Sequence, residues 1–325
     1  MTESTPNESQ AGNSWNTYWQ GTGDVGAFTS GGASHPAIGA FWEEFFNAAK
    51  QNYENPGLID IASGNGAVVE SALAVFDGKQ NEITSLDVSA AAIENINNRF
   101  PTVKGIVSDA CSIPCEAGSF ELVTSQFGVE YAGQDAIFEA ARVVADGGLL
   151  TLLLHCDSGS IHQECQQSLD AVERLQTSQF IALAIEMFDA GFRAVRGADR
   201  SAYESAGKKL APAIGELEAI MKQYGQHVAG DTIARLYNDV GQIHQRIQHF
   251  QPEDILNWLK RMDGELKAYA ERMSSMSRSA INSVNFEQIK AGLEDRDFSI
   301  ERAETLDIPD HELPMAWILI AKKLP

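Results

Sequence analysis

The stretch LIDIASGNGAVVE, Leu58 to Glu70, decides how the rest of the chain is read. Leu58, Ile59 and Ile61 have the character of a buried strand, and Gly64 and Gly66 that of a tight turn letting backbone approach a ligand closely. A dinucleotide loop would carry G-x-G-x-x-G, its glycines cradling a pyrophosphate. Here Val69 stands at the third position, and Asp60 precedes the turn. A carboxylate beside a pyrophosphate is repelled by several kcal/mol, on the order of 4 at 4 Å and an effective dielectric constant near 20. Beside an ammonium or a sulfonium it is attracted. The loop therefore favours a nucleoside with a cationic tail over one carrying phosphates.

Outward from this loop, strand and helix alternate. HPAIGAFWEEFFNAAKQ places Ile38, Phe41, Trp42, Phe45 and Phe46 at helical spacing and predicts a helix from about 36 to 52. After the loop come a helix (VVESALAVF), a strand (EITSLDV), a helix with Ser89 as N-cap (SAAAIENINNRF) and two strands (VKGIVSD and FELVTSQF). A helix QDAIFEAARVVA closed by Gly147 and Gly148 and a fifth strand LLTLLLH follow. Four long helical segments then run from roughly 158 to 283, the first of them QQSLDAVERLQTSQFIALAIEMFDAGF. FSIERAETLDI and MAWILIAKK close the chain as strands. The expected fold is α/β: a Rossmann-like, seven-stranded, mostly parallel sheet with helices on both faces and a large all-helical insertion. The expected domains are a tail and aromatic lid segment at 1–35, the sheet domain at 36–157 and 285–325, and a helical cap at 158–284.

The 325 residues are 44% hydrophobic and 21% charged, an ordinary globular balance, with no apolar run long enough to span a bilayer. The polar start MTESTPNESQ lacks the features of a signal peptide. With 24 basic against 45 acidic residues the formal charge is -21, which repels phosphate backbones and anionic headgroups. Nucleic acid and membrane are therefore excluded as expected partners. Cys111, Cys115, Cys156 and Cys165 are too few for a disulfide scaffold, and a reducing cytoplasm is the expected location. His155, Cys156, His162 and Cys165 match no zinc spacing, so no metal site is expected.

A nucleoside with a sulfonium, an α-ammonium and no phosphate is S-adenosylmethionine, and at this point the chain resembles the class I S-adenosylmethionine-dependent methyltransferases. Within that class it is similar to the small-molecule type, the ubiquinone/menaquinone-biosynthesis group. The family's first motif, an acidic residue followed by G-x-G-x-G, has its counterpart in Asp60, Ala62, Ser63, Gly64, Asn65 and Gly66, with alanine for the first glycine. The resemblance implies that Asp87, in LDVS with Val88, accepts from the ribose hydroxyls. It further implies that Asp109 accepts from the adenine amine while Ala110 supplies a backbone donor. MAWILIAKK resembles the family's closing antiparallel strand.

The loop after the fourth strand, SQFGVEY, resembles none of the N/D-P-P-Y/F/W motifs of methyltransferases that act on nucleic-acid bases, which points to a small-molecule acceptor. Gln126 and Phe127 are expected against the cofactor. Glu130, Tyr131 and His155 are the catalytic candidates, with His155 as the base and His162 a weaker choice. Trp15, Tyr18 and Trp19 are expected to fold over the cofactor, their rings towards the sulfonium. The stripe Phe180, Ile181, Leu183, Ile185, Met187, Phe188 and Phe192 would line a cavity, form core, or supply a homodimer face. Oxygen is the first expectation for the accepting atom; nitrogen, sulfur and carbon stay open. One rival is a nicotinamide-dependent oxidoreductase, opposed by Asp60 and by the lack of any tyrosine with lysine four residues on. The other is a nucleoside-binding or interaction protein without chemistry.

Overall fold

The computed structural model describes Trp19 and residues 35–76, 82–308 and 312–325. Seven strands form one sheet: β1 (Leu58–Ile61), β2 (Ile83–Asp87), β3 (Lys104–Val107), β4 (Phe120–Gln126), β5 (Val144–His155), β6 (Phe298–Leu306) and β7 (Ala316–Lys323). Their order is β3-β2-β1-β4-β5-β7-β6. β1 to β5 pair in parallel, while β7 runs antiparallel to β5 and β6. Every residue of β1 and β2 is buried, as a sheet covered on both faces requires. The strand order reverses between β1 and β4, which opens a crevice beyond the carboxyl ends of those two strands.

Among the described residues, five helices flank the strands or join them: α1 (Pro36–Asn52), α2 (Ala67–Val75), α3 (Ala90–Arg99), α4 (Gln134–Arg142) and, before β6, α10 (Ser283–Glu294). α1 starts at Pro36, where a missing N–H costs nothing, and His35 Nδ1 accepts the amide hydrogen of Ala37 at 3.1 Å. It buries the predicted stripe Ile38, Phe41, Trp42, Phe45 and Phe46, each worth about 1.5–3 kcal/mol removed from water. Trp42 stacks on Phe46, with centroids 5.6 Å apart.

Gly147 and Gly148 do not close a helix. α4 ends at Arg142, and β5 begins at Val144 and runs through both glycines. The β4–β5 register shifts between Phe120 and Leu122, and at Gly148 a Cβ would lie 2.8 Å from the carbonyl oxygens of Ala145 and Glu121. The glycines permit that bulge rather than a helix stop.

Residues 163–277 form a second compact unit, narrower than the expected 158–284; α10 belongs with the sheet. The first helical segment here divides at Gln179, whose backbone is left-handed (φ 57°), into α5 (Ser160–Thr177) and α6 (Phe180–Val195). α7 (Ser201–Tyr224), α8 (Thr232–Gln245) and α9 (Pro252–Ser279) follow. Phe180, Ile181, Met187, Phe188 and Phe192 are buried in the unit's own core, with Leu183 and Ile185 packed against it. That stripe is therefore core.

The chain leaves and re-enters the sheet domain at one point. The amide of Ile281 donates to the carbonyl of His155 at 2.7 Å, and that of Asp157 donates to the carbonyl of Ile281 at 3.0 Å. The Trp317 indole N–H donates to the same carbonyl at 2.7 Å, and its ring stacks on Phe286. Both ends of the insertion are thus pinned beside the carboxyl end of β5.

Candidate active site

The predicted residues gather along the carboxyl edge of the sheet. After β1 the backbone turns through three left-handed residues, Ala62 (φ 54°), Gly64 (φ 51°) and Gly66 (φ 81°), and Gly66 caps α2. Ala62 holds this conformation against a steric cost. Its crowding is felt at Gly128 on the neighbouring loop, where a Cβ would lie 2.5 Å from that of Ala62. Gly128, which sequence reasoning missed, is what lets the two loops approach. Ser63 is buried, its amide donating to the Leu86 carbonyl at 3.1 Å, and Asn65 offers its carbonyl to Arg99 at 2.7 Å.

Two buried acids stand at this edge. Asp87 Oδ2 accepts the Gly64 amide at 2.9 Å and Oδ1 accepts that of Ser89 at 2.8 Å, so the carboxylate fastens the glycine loop to the end of β2. Burial raises its pKa, against the lowering effect of those amides. Asp60 lies inside β1, 1% exposed, with Oδ1 accepting from the Thr124 hydroxyl at 2.9 Å and Oδ2 buried with no partner among the described residues. Burial pushes its pKa up to about 8; the Thr124 hydrogen bond opposes this and the Asp87 charge adds to it. An orphaned carboxylate oxygen beside a second buried acid and a left-handed glycine turn suits a ligand that brings positive charge. The residues fit S-adenosylmethionine on those grounds. Thr124 and Ser125 were also missed; two polar residues inside the apolar strand FELVTSQ were the available signal.

The raised pKa gives Asp60 a stability signature. Its contribution is fully present below about pH 4, the unfolded range, and is lost as pH rises through about 8, because the folded state holds a proton that the unfolded state has released. Asp60→Asn removes that loss. The variant is expected to unfold at a higher temperature than the parent at pH 8, by about 2 kcal/mol in stability, and to lose the parent's decline between pH 5 and 8. Thermal unfolding at the two pH values checks this; equal pH dependence would mean that Asp60 is ionised in the folded protein.

The remaining nucleoside candidates follow β2 and β3. Val88 is an exposed apolar residue directly after Asp87, Asp109 is exposed and accepts the Cys111 amide at 2.8 Å, and Ala110 is buried. Trp19 lies over the glycine loop: its Cζ2 is 2.7 Å from where a Cβ on Gly64 would stand, and its carbonyl accepts from the Asn95 side chain at 3.1 Å. Trp15 and Tyr18 fall outside the described residues.

At the ends of β4 and β5 a second group assembles. Gln126 accepts from the Trp42 indole N–H, which commits its carbonyl to anchoring α1. Phe127 has a left-handed backbone (φ 52°), and its ring lies 4.6 Å from the imidazole of His155. Glu130 and His155 are both buried, with Glu130 Oε1 2.7 Å from His155 Nδ1 and 3.0 Å from the His155 amide nitrogen. A carboxylate at that distance fixes the proton on Nδ1 and leaves Nε2 as the acceptor of the neutral ring. The Tyr131 ring meets the imidazole edge-on at 5.7 Å. The three catalytic candidates are thus in contact. His162 is instead 3.2 Å from Asp157, and its Nδ1 accepts the Ser158 amide. Burial raises the Cys156 and Cys165 thiols to about 11 and about 12, which makes them unreactive. No helix among the described residues is long and apolar enough to cross a membrane.

Residues 58–148 match a family model described as a methyltransferase domain. The ubiquinone/menaquinone biosynthesis C-methyltransferase of Campylobacter jejuni (serotype O:6) is 31% identical over 102 residues, 30% of this chain and 43% of that protein. The malonyl-acyl-carrier-protein O-methyltransferase of Salmonella typhimurium is 32% identical over 120 residues, 36% of this chain and 47% of that protein. Among solved structures, the CurJ carbon methyltransferase aligns over 89% of this chain and 55% of its own, at 12% identity and a TM-score of 0.43. The chain spans less than half the length of the curated relatives it matches. The matched span, residues 58–148, holds the glycine turn and the acids on either side of it, so this part of the sheet domain is similar to methyltransferase domains where its candidate site lies.

Proposed function

We propose that the chain moves a methyl group from S-adenosylmethionine to the oxygen of a small-molecule acceptor. The observation that carries the cofactor is the pair of buried acids, Asp60 and Asp87, flanking the left-handed glycine turn. Bound there, the cofactor supplies an activated methyl carbon, so the protein has mainly to align the acceptor and exclude water. Asp87 would take the ribose hydroxyls through the lone pairs its amide partners leave, and Asp60 Oδ2 would gain the positive charge it lacks. Asp109 and Val88 would meet the base, and Trp19 would cover the turn.

The Glu130–His155 pair supports an acceptor that arrives protonated. As a hydroxyl oxygen forms its bond to the methyl carbon and the carbon–sulfur bond breaks, Nε2 of His155 would take the hydroxyl proton, with Glu130 stabilising the imidazolium. Phe127 and Tyr131 would hold the ring and exclude water. The strong negative charge of the chain favours a small acceptor over nucleic acid.

Thermal unfolding with S-adenosylhomocysteine and, separately, with NAD tests the cofactor. A ligand at 100 times its dissociation constant adds about 2.7 kcal/mol to stability. S-adenosylhomocysteine is expected to raise the melting temperature and NAD to leave it unchanged. A rise with NAD alone would overturn the proposal.

A further inference from the structure

The helical unit contains a cavity of its own, about 840 Å³, between α6, α7 and α8. That is towards the large end of the range in which drug-sized ligands are held. Phe180, Met187, Leu210 and Val240, all buried, contribute apolar side chains to its wall. Gly207 on α7 and Gly241 on α8 also line it, and a Cβ at either would meet no atom within 4 Å. A glycine inside a helix is unfavourable and is commonly justified by a close neighbour. Gly191 is such a case, since a Cβ there would lie 2.6 Å from Ile247. Gly207 and Gly241 have no such neighbour, and what they provide is open space.

The polar lining indicates the kind of molecule. It holds one acid and one strong base, Glu204 and Lys208, both exposed and one helical turn apart on α7. A chain with 45 acids and 24 bases thus presents a charge-balanced lining here. Asn238 and Gln242, both exposed and one turn apart on α8, add amide donors and acceptors whose side chains make no hydrogen bond to the described residues. His244 is already held by the Tyr203 hydroxyl at 2.7 Å, and the Tyr237 hydroxyl by Glu218 at 2.8 Å.

We propose that this cavity binds an uncharged, largely apolar small molecule carrying a carbonyl or hydroxyl group. The apolar body would lie on Ala211, Ile214 and Tyr237, which keep accessible surface above that buried wall, and the polar group would pair with Asn238 or Gln242. The cavity shares no residue with the methyl-transfer edge, so its occupancy stands or falls independently of the proposed reaction.

Nile red, a neutral dye with one ring carbonyl, is the probe, used with the full chain. Its fluorescence is expected to rise and shift to the blue in a saturable, one-to-one titration. The double variant Gly207→Leu, Gly241→Leu fills the open space with residues that helices favour, so folding is retained. It is expected to weaken Nile red binding at least tenfold while leaving the affinity for S-adenosylhomocysteine, read by calorimetry, unchanged. Asn238→Ala with Gln242→Ala is expected to weaken the dye several-fold without moving the melting temperature. Parent-like dye affinity in the leucine variant would overturn the proposal. So would tight binding of the anionic dye 1-anilinonaphthalene-8-sulfonate at the same site with no binding of Nile red.

Discussion

Alanine at His155 is expected to lower turnover of an acceptor found by screening by about 10²- to 10⁴-fold, while the affinity for S-adenosylhomocysteine stays within about twofold of the parent. The size of the loss follows from what a base does here, since a neutral hydroxyl is a poor nucleophile towards a sulfonium methyl unless its proton has somewhere to go. Glu130, 2.7 Å away, and the rings of Phe127 and Tyr131 hold His155 in place, as the proposed role requires. Glu130→Gln keeps an acceptor for Nδ1–H but removes the charge that stabilises the imidazolium, so a smaller loss of about 10- to 100-fold is expected. The rate-against-pH profile separates the two roles. The part of the pH dependence that the base carries should vanish in His155→Ala and survive in Glu130→Gln. Parent-like turnover in His155→Ala would show that the acceptor needs no base here, and the pair would then be a structural feature of the β4 and β5 ends.

Replacing Asp87 by alanine should weaken S-adenosylhomocysteine binding by about 100-fold or more. Two charge-assisted hydrogen bonds to ribose, at about 1.5–3 kcal/mol each, would be lost. The substitution also removes the acceptor for the buried amides of Gly64 and Ser89, so the glycine turn loses its tie to β2. A lower melting temperature accompanies the weaker binding for that reason. Asp87→Asn retains one side-chain carbonyl for the loop and is expected to recover much of the stability but little of the affinity. Calorimetry on both variants, with circular dichroism to confirm folding, checks this. Unchanged affinity in Asp87→Ala would remove the ribose assignment and leave Asp87 a loop fastener alone.

Much of this edge is legible in the sequence alone. Asp60, Gly64, Gly66 and Asp87 carry their message in residue type and spacing, because left-handed backbone and buried charge tolerate few substitutes. The parallel strands show themselves as unbroken apolar runs. What escapes is set by neighbours distant in sequence. Nothing local shows that Thr124 faces Asp60 or that Gly128 is needed by Ala62, since the β1–β4 pairing creates both contacts. Gln126, expected against the cofactor, is held by Trp42, 84 residues away. Gly147 and Gly148 read as a helix stop because glycine ends helices and permits bulges alike, and only the pairing with β4 distinguishes them. The stripe in α6 has the same periodicity whether its far side meets helices of its own unit or another molecule. A helical pattern shows that a face is buried and leaves open what buries it.

The pinned entry and exit at His155 and Ile281 also bear on how the chain acquires its shape. β5 and β7 are central partners, yet the whole helical unit is threaded between them in the chain. Joining them from an extended chain would mean closing one very long loop, an entropic penalty that grows with the logarithm of its length. Inside the helical unit the side chains of Gln166, near the start of α5, and Ser277, near the end of α9, already touch. Once those helices have condensed, the loop still to be closed shrinks to a few residues on each side of the neck. The slow, non-local step of finishing the sheet then becomes nearly local, with the insertion acting as a preformed clasp that delivers Ile281 and the residues after it to the end of β5.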